Sequence, residues 1–271
     1  ADGEYIVAGN SNSWIYLFDK DSSTENWKYQ ASGSITSVDI SADGEYIVAS
    51  SSDEIYVFDK DSSTFLWSHE ADGDVNSVVV SSDGKYIVAG SADDKVYYFS
   101  RESSTPLWTY TTGGDVNEVD ISADGRHIAV ASDDNRVYLL DKNQGNPLWY
   151  YETSWDYISV AISADGHYVV AGHEGSSADL FNATIKNNGN VNRIHGFQAS
   201  DSVNSLAISS GGERIIIGYG QKVSLFGKES SSALWTYTTG NSNGVDVDIS
   251  ADSKYIVVGG YDQNVYLFDK N

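Results

Sequence analysis

One short segment recurs along the whole chain. It reads SADGEYIVAS at residues 41–50, and six further versions share the Ala-Asp-Gly turn, or a close variant, and the aliphatic run after it. The residues aligned with the Asp of this turn are 40 to 46 positions apart. A nearly constant period of this length indicates a fold built from similar units. The aligned positions are Asp2, Asp43, Asp83, Asp124, Asp165, Gly211 and Asp252.

Each unit contains four apolar segments of strand length. In the unit that starts at Val75 they are VNSVVVS, KYIVAGS, KVYYFS and PLWTYTT, separated by turn-forming residues. Four strands in about forty residues are typical of a propeller blade. Small residues dominate the first of these segments, and aromatic residues dominate the last. A wedge-shaped blade is narrow near the propeller axis and wide at its rim, so we expect the first segment to be the inner strand and the last to be the outer strand. We therefore expect an all-β fold, a seven-bladed β-propeller of four-stranded antiparallel blades, forming one domain over residues 1–271.

Two strands of the expected set are missing. Of the 28 strands in seven four-stranded blades, 26 can be read, because the first blade lacks its inner strand and the last blade lacks its outer strand. One segment of the form LWxYxTGxxVxSVxIS would supply both. Three explanations stay open. The chain is part of a longer protein, the inner edge is left open to water, or a neighbouring subunit donates the strands.

Two stretches resemble known propeller repeats. SVDISADGEYIVASSSDEIYVFDKD is similar to the WD-repeat and archaeal surface-layer style, and VYYFSRESSTPLWTYTTGGDV resembles the tryptophan-docking repeat of PQQ-like propellers of archaea and bacteria. The chain departs from both, because it lacks the His and Trp-Asp marks of WD repeats and has Ser-Thr where the PQQ-like pattern has Thr-Gly. The PQQ-like resemblance implies that an outer-strand Trp locks each blade against its neighbour. The residues concerned are Trp27, Trp67, Trp108, Trp149 and Trp235.

Charge and composition exclude several classes of function. The net charge is −23, so the surface repels nucleic acid and anionic lipid and attracts cations or basic partners. No apolar run is long enough to insert into a membrane. The chain has no Cys, and no nucleophile elbow or phosphate-binding loop is present. We therefore nominate no catalytic residue, no cofactor-binding residue and no enzymatic activity.

The acidic residues suggest a metal site and a partner surface. Asp39, Asp120 and Asp248 share one inner-strand slot, and if that slot faces the propeller axis their carboxylates would suit Ca²⁺. The alternative, which we favour, is that they accept hydrogen bonds from backbone amides of neighbouring turns. A second set lies where strands begin or turn and predicts a negative rim for a protein partner. It comprises Asp53, Asp74, Asp94, Asp115, Asp134, Asp156 and Asp262.

The fifth repeat departs most from the others. It is longer through NATIKNNGNVNRIHGFQAS, and His195 takes the slot that Trp holds elsewhere. Asn182 begins an N-glycosylation sequon. An added loop on a rigid scaffold is a place for binding, although harmless drift of one repeat explains the same features and is the interpretation we favour.

These features favour a non-enzymatic scaffold for protein–protein interaction or assembly, extracellular or at the cell surface. The alternatives are a module that binds sugars or calcium, a subunit completed by strand donation in a filament or layer, and a PQQ-type quinoprotein. No cofactor is expected, and calcium is the one metal that the acidic slots suggest. The partners expected are proteins or further copies of the chain.

Overall fold

A computed structural model describes residues 3–184, 191–240 and 244–269. Within these ranges the chain forms 26 β-strands and no helix. In chain order they are β1 (Tyr5–Gly9), β2 (Trp14–Asp19), β3 (Glu25–Gln30), β4 (Ile35–Ile40), β5 (Tyr46–Ser51), β6 (Glu54–Asp59), β7 (Trp67–Glu70), β8 (Val75–Val80), β9 (Tyr86–Ser91), β10 (Lys95–Ser100), β11 (Trp108–Thr111), β12 (Val116–Ile121), β13 (His127–Ser132), β14 (Arg136–Asp141), β15 (Pro147–Glu152), β16 (Tyr157–Ile162), β17 (Tyr168–His173), β18 (Ser177–Asn182), β19 (Asn192–Gln198), β20 (Val203–Ile208), β21 (Arg214–Tyr219), β22 (Lys222–Gly227), β23 (Ala233–Thr238), β24 (Val245–Ile249), β25 (Tyr255–Gly260) and β26 (Val265–Asp269).

The strands form seven sheets, numbered in chain order. The second to sixth sheets have four strands each, β4–β7, β8–β11, β12–β15, β16–β19 and β20–β23. The first sheet (β1–β3) and the seventh sheet (β24–β26) have three. Strands that are consecutive in the chain are neighbours in every sheet, from the inner strand through the second and third to the outer. The all-β, seven-bladed propeller is therefore confirmed. Within the described ranges, the first sheet has no inner strand and the seventh has no outer strand.

The chain divides into two compact units. One comprises Ala1–Val130 with Asp141–Asn146, and the other comprises Ala131–Leu140 with Pro147–Asn271. The first to third sheets lie in the first unit, and the fifth to seventh lie in the second. That the propeller is one domain stays a prediction. Among the described residues, no helix has the length and hydropathy needed to cross a membrane.

The recurring Ser-Ala-Asp-Gly segment is a turn with its own hydrogen bonds. The Ser41 hydroxyl donates to the Asp43 carboxylate (2.6 Å) and accepts the Tyr46 N–H (3.0 Å). Asp43 also accepts the Glu45 N–H (3.1 Å). Gly44 has a φ of 73°, a conformation that favours glycine. The Ser41 hydrogen bond holds the pKa of Asp43 below its usual value. The recurrence of Ser, Asp and Gly follows from these hydrogen bonds and from the positive φ.

Adjacent sheets meet at a glycine slot, the fifth residue of the second strand. A Cβ at Gly172 would lie only 2.8 Å from the Cβ of Val203, which begins the next inner strand. A Cβ at Gly218 would lie 2.7 Å from Val245 Cγ2 in the same way. Five of the seven sheets have Gly at this slot, and the other two have the small residues Ser50 and Ala131.

The cores lie between sheets and are aliphatic and aromatic. Between the second and third sheets, Val48, Ile55 and Val57 pack with Ile87 and Phe99, and all five are fully buried. Because each central strand contributes one face to the preceding core and one to the next, its sequence reads as a continuous apolar run.

Candidate protein-binding site

The outer-strand Trp side chains contact the following sheet. Trp27 Nε1 donates to the Lys60 carbonyl oxygen (2.7 Å), and its ring lies 5.3 Å from that of Phe58. Three further Trp residues donate in the same way over 2.5 to 3.2 Å: Trp67 to Arg101, Trp108 to Lys142, and Trp149 to Ala183. The Trp235 ring lies 5.4 Å from Phe268. A Trp at this position covers an aromatic side chain and satisfies a turn carbonyl of the next sheet.

The inner-strand aspartates bind backbone groups. Asp39 accepts the N–H of Ile40 and, through its second oxygen, that of Val80 in the next sheet, both at 2.8 Å. Asp120 and Asp248 each accept the N–H of the following residue at 2.7 Å. Over residues 3–184, 191–240 and 244–269, no three His, Asp or Glu side chains are placed to hold a metal ion. Calcium binding by these three carboxylates stays a prediction.

The expected rim consists of two kinds of turn. Asp134 and Asp262 lie between second and third strands, and each accepts the hydroxyl of a Tyr four residues later, Tyr138 or Tyr266. In the third sheet Asp93 makes this contact, with Tyr97, so Asp93 rather than Asp94 is the equivalent residue. Asp94 instead has a φ of 66° at the tip of the turn. Asp53 lies in the shorter turn between β5 and β6, and Asp74, Asp115 and Asp156 precede β8, β12 and β16.

One part of this rim concentrates negative charge. Burial, together with the charges of Asp133, Glu174 and Asp134, raises the pKa of Asp156 above its usual value. Asp133 and Glu174 are exposed, whereas Asp134 and Asp156 are half-buried. We call Asp133, Asp134, Asp156 and Glu174 the acidic patch. Carboxylates that repel one another in this way are stabilised by a positive charge brought close to them.

An exposed Trp adjoins the acidic patch. Trp155 is 53% exposed, precedes Asp156 in the chain and lies against Gly175, where a Cβ would be 2.6 Å from Trp155 Nε1. The Thr153 hydroxyl accepts the Trp155 N–H (3.2 Å) and donates to its carbonyl (2.8 Å), which fixes the loop. Sequence analysis missed this residue, although its position outside the regular Trp spacing marks it as different from the docking Trp residues.

A buried polar cluster in the fifth sheet was also missed. Asp179 is 2% exposed and stands where five other sheets have Tyr. Its Oδ1 accepts Arg193 Nε at 2.6 Å and Nη2 at 2.5 Å, and its Oδ2 accepts the Tyr157 hydroxyl at 3.0 Å. Gly196 leaves room for the Arg193 side chain. Every member has a partner, so the buried Asp179 carboxylate is satisfied, while the Arg193 side chain that pairs with it is 43% exposed. The sequence signal was ADLF in place of the usual VYLF.

Beside this cluster, His173 and Ser177 are hydrogen-bonded but are not arranged for catalysis. The Gly175 N–H donates to His173 Nδ1 (3.0 Å), so the proton of the neutral ring is on Nε2. Nε2 lies 2.7 Å from the Ser177 hydroxyl oxygen and donates to it. Burial lowers the pKa of His173, which favours this neutral form. A His that donates to the hydroxyl does not activate it as a nucleophile.

The structure shows where His195 and Asn182 of the fifth repeat lie. His195 pairs with Leu180 in the register in which Trp67 pairs with Val57, so it occupies the Trp slot. Asn182 ends β18, and its side chain accepts the Thr184 N–H at 2.8 Å. Residues 185–190 of the proposed binding loop lie outside the described residues. Glycosylation at Asn182 stays a prediction.

Comparison with known families gives two matches. The model described as outer membrane protein assembly factor BamB matches residues 51–271, and that of the WD domain, G-beta repeat, matches residues 24–59. No curated protein matches the chain. The predicted resemblance to PQQ-like and WD-repeat propellers is confirmed. Because the first match covers most of the sequence, the chain belongs to the family described as outer membrane protein assembly factor BamB.

Proposed function

We propose that this protein is a non-enzymatic scaffold that binds protein partners, and that the acidic patch with Trp155 binds a basic segment of one of them. Protein–protein interaction is the typical work of BamB-like and WD-repeat propellers, which supports the general role. The single observation that carries the proposal is the exposed Trp155 beside four carboxylates, one of which has a raised pKa.

The chemistry of this surface suits Lys and Arg side chains. A guanidinium or ammonium group over the Trp155 ring gains a cation–π interaction of about 0.5–2 kcal/mol. The same group relieves the repulsion among Asp156, Asp133 and Glu174. Trp and Arg are also the residues most enriched at the energetic centres of protein interfaces. A basic segment with Arg therefore fits better than a neutral ligand.

The test is calorimetric titration of the protein with a synthetic peptide of alternating Arg and Gly. We expect Trp155→Ala to weaken binding about fivefold, since it removes about 1 kcal/mol of cation–π interaction. Leu234→Ala is the matched control, because Leu234 is 55% exposed in the same unit and has no part in the patch. Equal affinity of the wild-type protein and Trp155→Ala would contradict the proposal.

Salt provides a second readout. Raising the ionic strength from about 0.01 M to about 0.1 M shortens the Debye length from about 30 Å to about 10 Å and should weaken binding of the basic peptide. Asp133→Asn should reduce this salt dependence, because it removes an exposed charge of the patch. Binding that is independent of salt would contradict an electrostatic role for the carboxylates.

We place this activity outside the cell or at its surface. The absence of Cys, the sequon at Asn182 and the resemblance to surface-layer propellers support that location. The description of the matched family, an outer membrane protein assembly factor, is consistent with it. Protease treatment of intact cells that produce the protein tests the location, since a protein inside the cell would resist digestion until the cells are lysed.

A further inference from the structure

The turn between β17 and β18 is part of the surface to which we assign the basic segment. It carries Glu174 of the acidic patch, and the Trp155 ring lies against Gly175 of this turn, where a Cβ would collide with the indole. The Glu174 N–H donates to the Asp156 carbonyl oxygen (3.1 Å), which joins the turn to the loop that carries Trp155. The position of this turn therefore sets the position of the Trp155 ring and of one patch carboxylate.

His173 ends β17 and holds this turn by a hydrogen bond. Its Nδ1 accepts the Gly175 N–H at 3.0 Å, and its Nε2 donates to the Ser177 hydroxyl oxygen at 2.7 Å. The residue is 5% exposed, and the Tyr157 ring packs edge-on against the imidazole at a centroid distance of 5.5 Å. The bond to Gly175 exists only while Nδ1 carries no proton.

In two other sheets, a serine makes the equivalent hydrogen bond. Ser91 Oγ accepts the Asp93 N–H at 3.2 Å, and Ser132 Oγ accepts the Asp134 N–H at 3.3 Å. Like His173, each Ser ends a second strand and accepts the N–H two residues later. A hydroxyl does not titrate near neutral pH, whereas an imidazole does. In the fifth sheet, the acceptor of this turn is therefore one that a proton can block.

A second proton on the His173 ring would occupy Nδ1 and face the Gly175 N–H. Two donors would then point at each other, so this bond is lost, whereas the Nε2 bond to Ser177 is kept. Rotation of the ring does not restore an acceptor, because both nitrogens of the imidazolium carry protons. Protonation of His173 therefore releases the part of the turn on which Trp155 rests.

Burial is the main influence on the protonation of His173. Among the described residues, the charged groups that act on it are Asp179 of β18 and Arg193 of β19, which have opposite effects and are paired with each other. The Tyr157 hydroxyl of β16 donates to Asp179 and is uncharged, since burial raises its pKa. Burial lowers the pKa of His173, so the closed turn binds the proton more weakly than a released turn whose ring is in contact with water.

We propose that His173 is a positioning residue that makes partner binding depend on pH, because its neutral ring holds the turn under Trp155 and its protonation releases the turn and with it the basic segment. The inference rests on the proposed function and adds the regulation of the same surface. In a released turn, His173 has the ordinary histidine pKa of about 6.5, so binding should weaken between about pH 7.5 and about pH 5.5.

The test is calorimetric titration with the peptide of alternating Arg and Gly at about pH 7.5 and at about pH 5.5. We expect the wild-type protein to bind up to about tenfold more weakly at the lower pH, where a solvated imidazole is about nine-tenths protonated. His173→Ser supplies the acceptor that Ser91 and Ser132 provide and should remove most of this difference. His173→Asn is the second variant, because its amide oxygen also accepts an N–H and its side chain leaves a smaller cavity.

The variants separate the effect of His173 from that of the acidic patch. The pKa of Asp156 is raised, and its protonation would weaken binding in the wild-type protein and in both variants alike. The difference in pH dependence between the wild-type protein and the variants therefore reports on His173. Equal pH dependence in the three proteins, or wild-type binding that does not weaken at about pH 5.5, would overturn the inference and leave the proposed function standing.

Fluorine NMR gives a readout that needs no peptide. The protein is labelled with fluorotryptophan, and the signal of Trp155 is identified by its absence from Trp155→Phe. This signal should shift between about pH 7.5 and about pH 5.5 in the wild-type protein but not in His173→Ser. A signal that does not shift would overturn the inference alone. Failure of the wild-type protein to bind the peptide at about pH 7.5 would instead contradict the proposed function and the regulation that rests on it.

Discussion

The glycine slot permits a comparison of one substitution in two environments. Gly172 and Gly259 are both fifth residues of second strands, in the fifth and seventh sheets of the same compact unit. We predict that Gly172→Ala destabilises the protein, whereas Gly259→Ala leaves its stability unchanged or raises it. The difference arises because Val203 packs over Gly172, whereas none of the described atoms lies within 4 Å of a Cβ at Gly259.

The magnitudes follow from the neighbouring atoms. A methyl group at Gly172 would lie 2.8 Å from Val203 Cβ and 3.1 Å from Leu206 Cδ2. Since Val203 Cβ is fixed to the backbone, rotation of its side chain cannot relieve the contact, and overpacking of this kind costs about 1–3 kcal/mol. Replacing Gly by Ala also restricts the unfolded chain, which stabilises a compatible site by about 0.4–1 kcal/mol. We therefore expect a loss of about 1–2 kcal/mol at Gly172 and a gain of up to about 1 kcal/mol at Gly259.

Urea titration followed by Trp fluorescence measures both free energies of unfolding. The slope of the free energy against urea concentration should be the same for the wild-type protein and both variants, so that midpoints can be compared directly. If Gly172→Ala left the free energy of unfolding unchanged or raised it, the inferred close packing of Val203 over Gly172 would be contradicted. A loss at Gly259 as large as that at Gly172 would show that a strand covers that slot in the isolated protein.

Three further predictions concern the carboxylates. Asp39→Ala should lower the free energy of unfolding by about 2 kcal/mol, because the Ile40 and Val80 N–H groups lose a charged acceptor. In the same urea titration, Asp248→Ala should lower it by less, because Asp248 accepts the Ile249 N–H. Equal losses would contradict the role of Asp39 in joining two sheets. The pKa of Asp43 is lowered in the folded protein, so the stability it contributes is present above its usual pKa and is lost as the pH falls through the folded-state value. The melting temperature of Asp43→Asn should therefore vary less with pH than that of the wild-type protein below about pH 4, and identical pH profiles would count against the Ser41 contact as the cause. Calcium at about 1 mM should leave the melting temperature unchanged, and calorimetric titration with calcium should give no stoichiometric heat of binding, because Asp39 already binds two backbone groups. A stoichiometric heat would instead favour the calcium-binding alternative.

Much of the fold could be predicted because each repeat contains the same turn residues followed by the same type of strand. Gly44 needs a positive φ, Ser41 and Asp43 close the turn, and aliphatic strands follow at a fixed distance. Comparison of seven repeats that vary in sequence identifies the residues they share much more clearly than one repeat alone would. The two absent strands were predictable for the same reason, since a regular pattern shows where a member is missing.

The turns show where this reasoning loses accuracy. Alignment by spacing placed Asp94 with Asp134 and Asp262, yet Asp93 is the residue that accepts a Tyr hydroxyl four positions later. Either of two consecutive Asp residues satisfies the sequence pattern. Only the backbone conformation decides between them, and the positive φ of Asp94 places its neighbour in the hydrogen-bonding position.

Interaction surfaces were harder to predict because they depend on departures from the repeat. Trp155 has no counterpart among the docking Trp residues. The pKa of its neighbour Asp156 is raised by burial and by the charges of Asp133 and Glu174, which come from other turns. Spacing along the chain contains no information about that proximity. Gly259 differs again, because it follows the repeat and a Cβ there would meet none of the described atoms within 4 Å. Within one repetitive framework, a residue that breaks the pattern, as Trp155 does, is therefore a good place to look for binding.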